Sequence, residues 1–174
     1  YVFYNSNQFE KSIDDFNRII ELDSLNESAY TSRGIAKSKN NVYSLYSDST
    51  TSTYFLKYYR VSFSNNSTII LDTKGAIDDF SKAIEINPKY AFAYYNRAKI
   101  YSELDLSENA LSDINTAIKL DEKSDYYLTR ALIYKDNKDT KKSLSDFNKA
   151  IEINPENAFA YVNRGYLKRE QLDD

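Results

Sequence analysis

The chain has 174 residues, 41% of them hydrophobic and 28% charged, with a formal net charge of −3. This is the profile of a folded, soluble chain; the acidic balance argues against an electrostatic footprint for nucleic acid or anionic membrane, and no apolar run approaches the roughly 20 residues a membrane span needs. There is no Cys, His, Met or Trp, which excludes disulfides, thiolate nucleophiles and Cys-rich zinc sites and removes the commonest general base and metal ligand.

Residues 1–5 read as the tail of a helix. Residues 7–22, NQFEKSIDDFNRIIEL, form an amphipathic helix with Ser6 or Asn7 as N-cap. A turn at Asp23 to Asn26 leads to a second helix that begins near Glu27, carries Tyr30 and Gly34, and is expected to end at about Lys39. A stretch at about 40–71 then breaks the pattern. Its polar part, SDSTTST at 47–53, reads as loop, and YFLKYYRVSF at 54–63 reads as a short helix packing on the rest. The alternative, a degenerate repeat starting near Lys57, would put SNNST at 64–68 in mid-helix, where Asn, Ser and Thr compete with helical bonding.

From Thr73 the pattern is regular. Helices are expected at about 73–86, 90–104, 107–120, 124–136, 140–153 and 157–171, with Asp72, Ser107 and Asp139 or Thr140 as caps. Ala76, Ile77, Phe80, Ala83, Ile84 and Ile86 share one face, Asn87-Pro88 stops that helix, and Ala91, Tyr94, Ala98 and Tyr101 make a second face. The slots recur. Ala83 returns as Ala117 and Ala150, Ala76 as Ala110 and Ser143, Phe80 as Ile114 and Phe147, and Tyr94 as Tyr127 and Tyr161, at steps of 34 or 33. Upstream, Ser12, Phe16 and Ile19 fill the slots of Ala76, Phe80 and Ala83. A helix pair with so narrow an apolar stripe needs neighbours, and a period near 34 supplies them as a stacked array.

This pattern resembles the tetratricopeptide repeat. Residues 91–123 carry Tyr94, Ala98, Tyr101, Ala110, Ile114 and Ala117 in the family's slots, and residues 124–157 carry Tyr127, Ala131, Tyr134, Ser143, Phe147, Ala150 and Pro155. The resemblance implies an all-α, right-handed α-solenoid of antiparallel helix pairs, with an insertion at about 40–71. The chain divides accordingly into a partial repeat (1–26), a repeat holding the insertion (27–90), two repeats (91–123 and 124–157) and a second partial repeat (158–174).

One departure is systematic. A first-helix slot that often holds leucine holds Arg33, Arg97, Arg130 and Arg164, while Asp15, Asp79, Asp113 and Asp146 share a slot of the second helices. Arg–Asp bridges between adjacent helices, such as Arg164 to Asp146, are expected, in preference to a ligand-binding role for the arginines. Lys37 and Lys168 take a later tyrosine slot in the flanking copies.

Nothing in the sequence builds a catalytic centre. Asp14-Asp15 and Asp78-Asp79 point about 100° apart on a helix and do not converge on one substrate. Asn65-Asn66-Ser67-Thr68 holds two glycosylation sequons, which arise cheaply in an Asn- and Ser-rich chain. No phosphate loop, nucleophile elbow or metal cluster is present, so neither enzymatic activity nor a cofactor is expected.

The resemblance places the first helices along a concave groove. The groove-facing slots are Phe92, Tyr95, Asn96, Lys99 and Ser102, then Asp125, Leu128, Thr129, Leu132 and Lys135, then Phe159, Val162, Asn163, Tyr166 and Arg169. Phe92, Tyr95, Asn96, Lys99, Leu128, Thr129, Lys135, Phe159, Asn163 and Tyr166 are the candidate peptide-binding residues. Rings would take side chains and amides the peptide backbone. The family's carboxylate clamp of two lysines, two asparagines and an arginine matches only at Asn96, Asn163 and scattered lysines, with Phe92 where a base is wanted. The expected function is a non-enzymatic scaffold binding a protein or peptide segment, without nucleic acid and without membrane insertion. The alternative is a structural spacer, or self-association through the unfinished terminal repeats. No secretory signal is visible, the cytoplasm is the favoured compartment, and the missing initiator Met points to a piece of a longer protein.

Overall fold

Short amphipathic stripes separated by Asx-type turns stack here as helix after helix. The computed structural model describes residues 6–44 and 66–170. The described residues form α1 (Ser6–Leu22), α2 (Glu27–Ser44), α3 (Asn66–Ile86), α4 (Ala91–Glu103), α5 (Ser107–Leu120), α6 (Ser124–Asp136), α7 (Thr140–Ile153) and α8 (Ala158–Glu170). Helices α2 and α3, α4 and α5, and α6 and α7 pack as pairs, with α1 against α2 and α8 against α7. The architecture is an all-α solenoid of helix pairs.

Small residues let the pairs close. Ala76, Ala83, Ala110, Ala117 and Ala150 are fully buried, as are Ile114 and Phe147, with Phe80 nearly so. Ser143 occupies an alanine slot, and its hydroxyl donates to the Ala131 carbonyl at 2.8 Å, so the buried oxygen is satisfied. Gly34 is needed for closeness: a Cβ there would lie 2.8 Å from the Phe80 ring.

The connections repeat as well. Asp23, Asn87 and Asn154 each accept, through a side-chain oxygen, from the backbone N–H two residues on, the Asx turn that reverses a chain without glycine. The turns after α4 and α6 end in a Schellman arrangement. Leu106 N–H donates to Tyr101 O and Asp105 N–H to Ser102 O; Asp139 N–H donates to Tyr134 O and Lys138 N–H to Lys135 O. Both turns hold one left-handed residue, Asp105 (φ 59°) and Lys138 (φ 60°). A non-glycine residue is strained there by roughly 1–2 kcal/mol. Lys138→Gly is therefore expected to raise stability by on the order of 0.5–1 kcal/mol, measured by urea denaturation; an unchanged or lowered midpoint counts against the strain.

Two boundaries and two caps differ from expectation. Helix α2 continues to Ser44, past Lys39, and α3 begins at Asn66, so both reach into the stretch read as insertion. Asn66, Ser67 and Thr68 thus fall in the first turn of a helix instead of its middle. Asp72, expected as a cap, lies inside α3. Ser107 is the first residue of α5, not its cap; Leu106 precedes it without a side-chain cap bond, and the Ser107 hydroxyl donates instead to Asn137 Oδ1 at 2.8 Å. Asp139 does cap α7, accepting from the Lys142 N–H at 3.1 Å. The readings for residues 1–5 and 54–63 lie outside the described residues.

The arginines staple three helices at a time. Arg33 holds Asp79, Arg97 holds Asp113 and Arg130 holds Asp146, each through Nε and Nη2 to both carboxylate oxygens at 2.6–3.0 Å. The carboxylates are buried, and these bonds to aspartate are the main cause raising each guanidinium above its ordinary pKa, against the lowering effect of burial. The remaining nitrogen, Nη1, reaches back to the preceding second helix, at Asn17, Ser81 or Asn115. The anticipated pairing of Arg164 with Asp146 is wrong in direction. Asp146 belongs to Arg130, and Arg164 reaches back only to Asn148 Oδ1, at 2.7 Å. The guanidinium grips forward, onto the second helix of its own pair, because its fork matches a carboxylate there in two bonds.

Candidate interaction groove

First helices and second helices lie on different sides of the array. Helix α2 touches α4, and α4 touches α6, whereas no comparable contact joins α3 to α5 or α5 to α7. The first helices therefore crowd together on the inner side and line the concave face.

An aromatic run occupies that face across α4 and α6. Tyr90 meets Phe92 edge-on (6.3 Å between centroids), Phe92 stacks on Tyr95 (6.1 Å), and Tyr95 meets Tyr126 of α6 at 4.8 Å. The Lys99 ammonium lies 5.5 Å from the Tyr95 ring centre, a cation–π distance. Burial pushes the Tyr95 hydroxyl above the usual phenol range, and a hydrogen bond with Thr129 works against it. Glu103 follows one turn after Lys99 on α4 and is exposed. Desolvation raises its carboxyl above the usual range, opposed by Lys99.

Of the residues expected in the groove, Phe92, Tyr95, Lys99 and Thr129 come together. Phe92 is 40% exposed and Lys99 exposed, so this cluster is open to a ligand. Asn96 lies beside it, but its amide Nδ2 donates to the carbonyl of Phe92 in its own helix at 2.7 Å; Asn163 does the same to Phe159 at 2.8 Å. Each amide thus spends one of its two N–H donors on its own helix and keeps the other, with the amide oxygen, for further bonding. Leu128 is half-buried, packed towards Tyr127, Ala131, Phe147 and Ala160, and Leu132 leans on the same Phe147 cluster. Both serve the contact between neighbouring repeats. Lys135 is half-exposed. Phe159, Val162 and Tyr166 of α8 stand open, with Arg169 over the Tyr166 ring at 5.2 Å.

Tyr126 was not anticipated. It fills the slot that Ala93 and Ala160 hold in the neighbouring copies, only 2% exposed, so a large ring lies where a methyl group is usual. The doubled Tyr126-Tyr127 against Ala93-Tyr94 was the available signal. Its hydroxyl is buried with no hydrogen-bond partner, and burial raises its pKa, with Lys123 as the chief opposing influence. The ring is retained for the stack against Tyr95, which carries the aromatic surface from one repeat to the next.

Residues 72–105 match the TPR repeat family, and residues 93–124 and 124–157 each match the tetratricopeptide repeat. The chain belongs to the tetratricopeptide repeat family. It is 47% identical over 45 residues to tetratricopeptide repeat protein 36 of Caenorhabditis elegans, a match spanning 26% of this chain and 25% of that protein. Among solved structures, that of MamA superposes on 95% of the chain and 80% of its own length, with a TM-score of 0.67 at 19% identity. The first TPR of Spaghetti (RPAP3), bound to the HSP90 peptide SRMEEVD, superposes on 62% of the chain and 86% of its own length, with a TM-score of 0.56 at 22% identity. Arrays of tetratricopeptide repeats are scaffolds for protein and peptide partners. None of the described helices is long and apolar enough to cross a membrane.

Proposed function

We propose that the scaffold binds an extended peptide segment along the concave faces of α4 and α6, with Phe92, Tyr95, Lys99 and Thr129 as the central contacts. Asn96 and Lys135 flank them, and Phe159, Asn163 and Tyr166 of α8 extend the surface. The observation that carries this reading is the Phe92–Tyr95–Tyr126 stack, which presents a rigid, partly exposed aromatic surface across two repeats beside the Lys99 ammonium. Rigid rings offer contact area at low entropic cost, which is why they anchor interfaces. Peptide binding by the Spaghetti domain supports the class of ligand. Phe92, standing where a carboxylate clamp needs a base, favours an apolar or aromatic peptide side chain over a terminal carboxylate at this position.

The test is a peptide array followed by titration on the wild type and on Tyr95→Ala/Asn96→Ala. Losing an aromatic anchor is expected to weaken binding about tenfold or more. Unchanged affinity in the double variant moves the site off this face. A second reading, self-association, is favoured by a separate observation: slots that are closed within the array stand open on α1 and α8. Ile19 is 39% exposed and Tyr161 44%, where Ala83 and Ala117 are fully buried and Tyr127 nearly so.

A further inference from the structure

The two outer helices carry the two halves of an interface that the chain already makes once. Helices α2 and α3 meet through Arg33, Gly34 and Lys37 on one side and Asp79 and Phe80 on the other. Arg33 and Lys37 both bind the Asp79 carboxylate, at 2.6 and 2.8 Å, and the Phe80 ring lies flush on Gly34. Helix α8 repeats the first half in the same register, with Arg164, Gly165 and Lys168. Helix α1 repeats the second half: Ile13-Asp14-Asp15-Phe16 is identical to Ile77-Asp78-Asp79-Phe80.

Among the described residues, neither half meets the kind of partner that it has between α2 and α3. Arg164 lies 5.2 Å over Tyr161 and bonds Asn148, as Arg33 lies 5.3 Å over Tyr30 and bonds Asn17. Its Nε and Nη2, which in the other three copies hold aspartate, hold none among the described residues. A Cβ on Gly165 would meet nothing within 4 Å. Asp15 is exposed and Phe16 only half-buried, although Asp79 and Phe80 in the same slots are buried.

Shape agrees with charge. Inside the array, Ile35 packs against the group formed by Ala76, Phe80 and Ile100. The equivalent slots at the other end, Ser12, Phe16 and Ala36, line an open groove between α1 and α2, together with Phe9, Ser32 and Lys39. The residue of α8 in the Ile35 slot is Tyr166, half exposed. A larger ring on α8 thus meets a groove widened by Ala36 in place of Ile100.

We propose that copies of this chain associate head to tail, α8 of one pairing with α1 of the next as α2 pairs with α3. Asp15 of the second copy enters the fork of Arg164 and Lys168, Phe16 lies on Gly165, and Tyr166 fills the groove beside Ala36. Each junction is the ordinary pairing of a first with a second helix, so the superhelix continues from copy to copy. Such a contact is heterologous and grows into open chains unless a rotation closes it. The proposal specifies the self-association reading and is independent of peptide binding in the groove.

Sedimentation velocity on the 174-residue chain tests it. The wild type is expected to assemble progressively with concentration. Asp15→Arg and Arg164→Asp should each lose assembly while keeping the wild-type circular dichroism, since neither side chain is held by a charged partner among the described residues. Mixed in equal amounts, Asp15→Arg and Gly165→Leu, whose added side chain blocks the seat of Phe16 on α8, should form a dimer that grows no further, because the intact α8 of the first meets the intact α1 of the second. Gly165→Leu, placed where nothing contacts the added side chain, should also abolish assembly without unfolding. A wild type that stays monomeric gives the face to another occupant and overturns the proposal. So does assembly that survives Asp15→Arg, as two α8 faces pairing about a two-fold axis would allow, or a mixture that remains monomeric. Peptide titration of the monomeric variants keeps this result separate from the groove.

Discussion

Arg130→Ala should destabilise the array by about 3–5 kcal/mol, because it leaves a buried carboxylate without its counter-charge. The Asp146 side chain is 8% exposed, and both its oxygens receive bonds from Arg130, at 2.7 and 2.8 Å. A surface ion pair would contribute under about 1 kcal/mol, so the measured loss decides between a staple and a decoration. The double replacement Arg130→Leu/Asp146→Leu should cost far less than the single change, since burying apolar groups in place of an ion pair is often neutral. Urea midpoints of the two single variants and the double variant give the coupling directly. A single-variant loss below about 1 kcal/mol would show that water reaches Asp146 freely. The arginines are committed to neighbouring helices, and a ligand seeking Arg97 or Arg130 would have to displace bonds already made.

Phe147→Ala is expected to cost about 3–5 kcal/mol. The ring is fully buried among Ala131 and Leu167, with Leu128, Leu132 and Leu144 around it, and so joins α6, α7 and α8 at one point. In an array whose units contact only their neighbours, such a cavity loosens the local junction first. Hydrogen exchange should therefore speed up in α8 before it does in α4. Phe16→Ala, the same change in the same slot of α1, should cost markedly less, because that ring is only half covered. Equal losses at the two positions would mean that burial does not set the cost.

The repeat was legible because its causes are local. Each helix needs its own stripe, and three of the turns their own Asx residue, and these recur at intervals short enough to count. Period and slot identity therefore named the family and most helix limits between Thr73 and Ile153. Where the pattern lapses, at Ser44 and Asn66, a helix can run on past its repeat slots, and neither limit could be placed. The groove was half legible. Spacing put Phe92, Tyr95, Lys99 and Thr129 on first helices, but it could not show that Asn96 and Asn163 bond into their own backbones. Nor could it show Leu128 turning to the neighbouring repeat or Tyr126 closing the stack.

From residue order alone, then, came the helix pairs, their period and the recurrence of arginine and aspartate. All of these follow from side-chain type at a fixed rise per residue. Which arginine holds which aspartate needed coordinates, because two aspartate slots flank each arginine at similar depth and only the relative placement of three helices selects one. The same placement separates a closed slot from an open one. Phe80 and Phe16 are the same residue in the same motif, and only the presence of a further helix beside the first makes one core and the other surface.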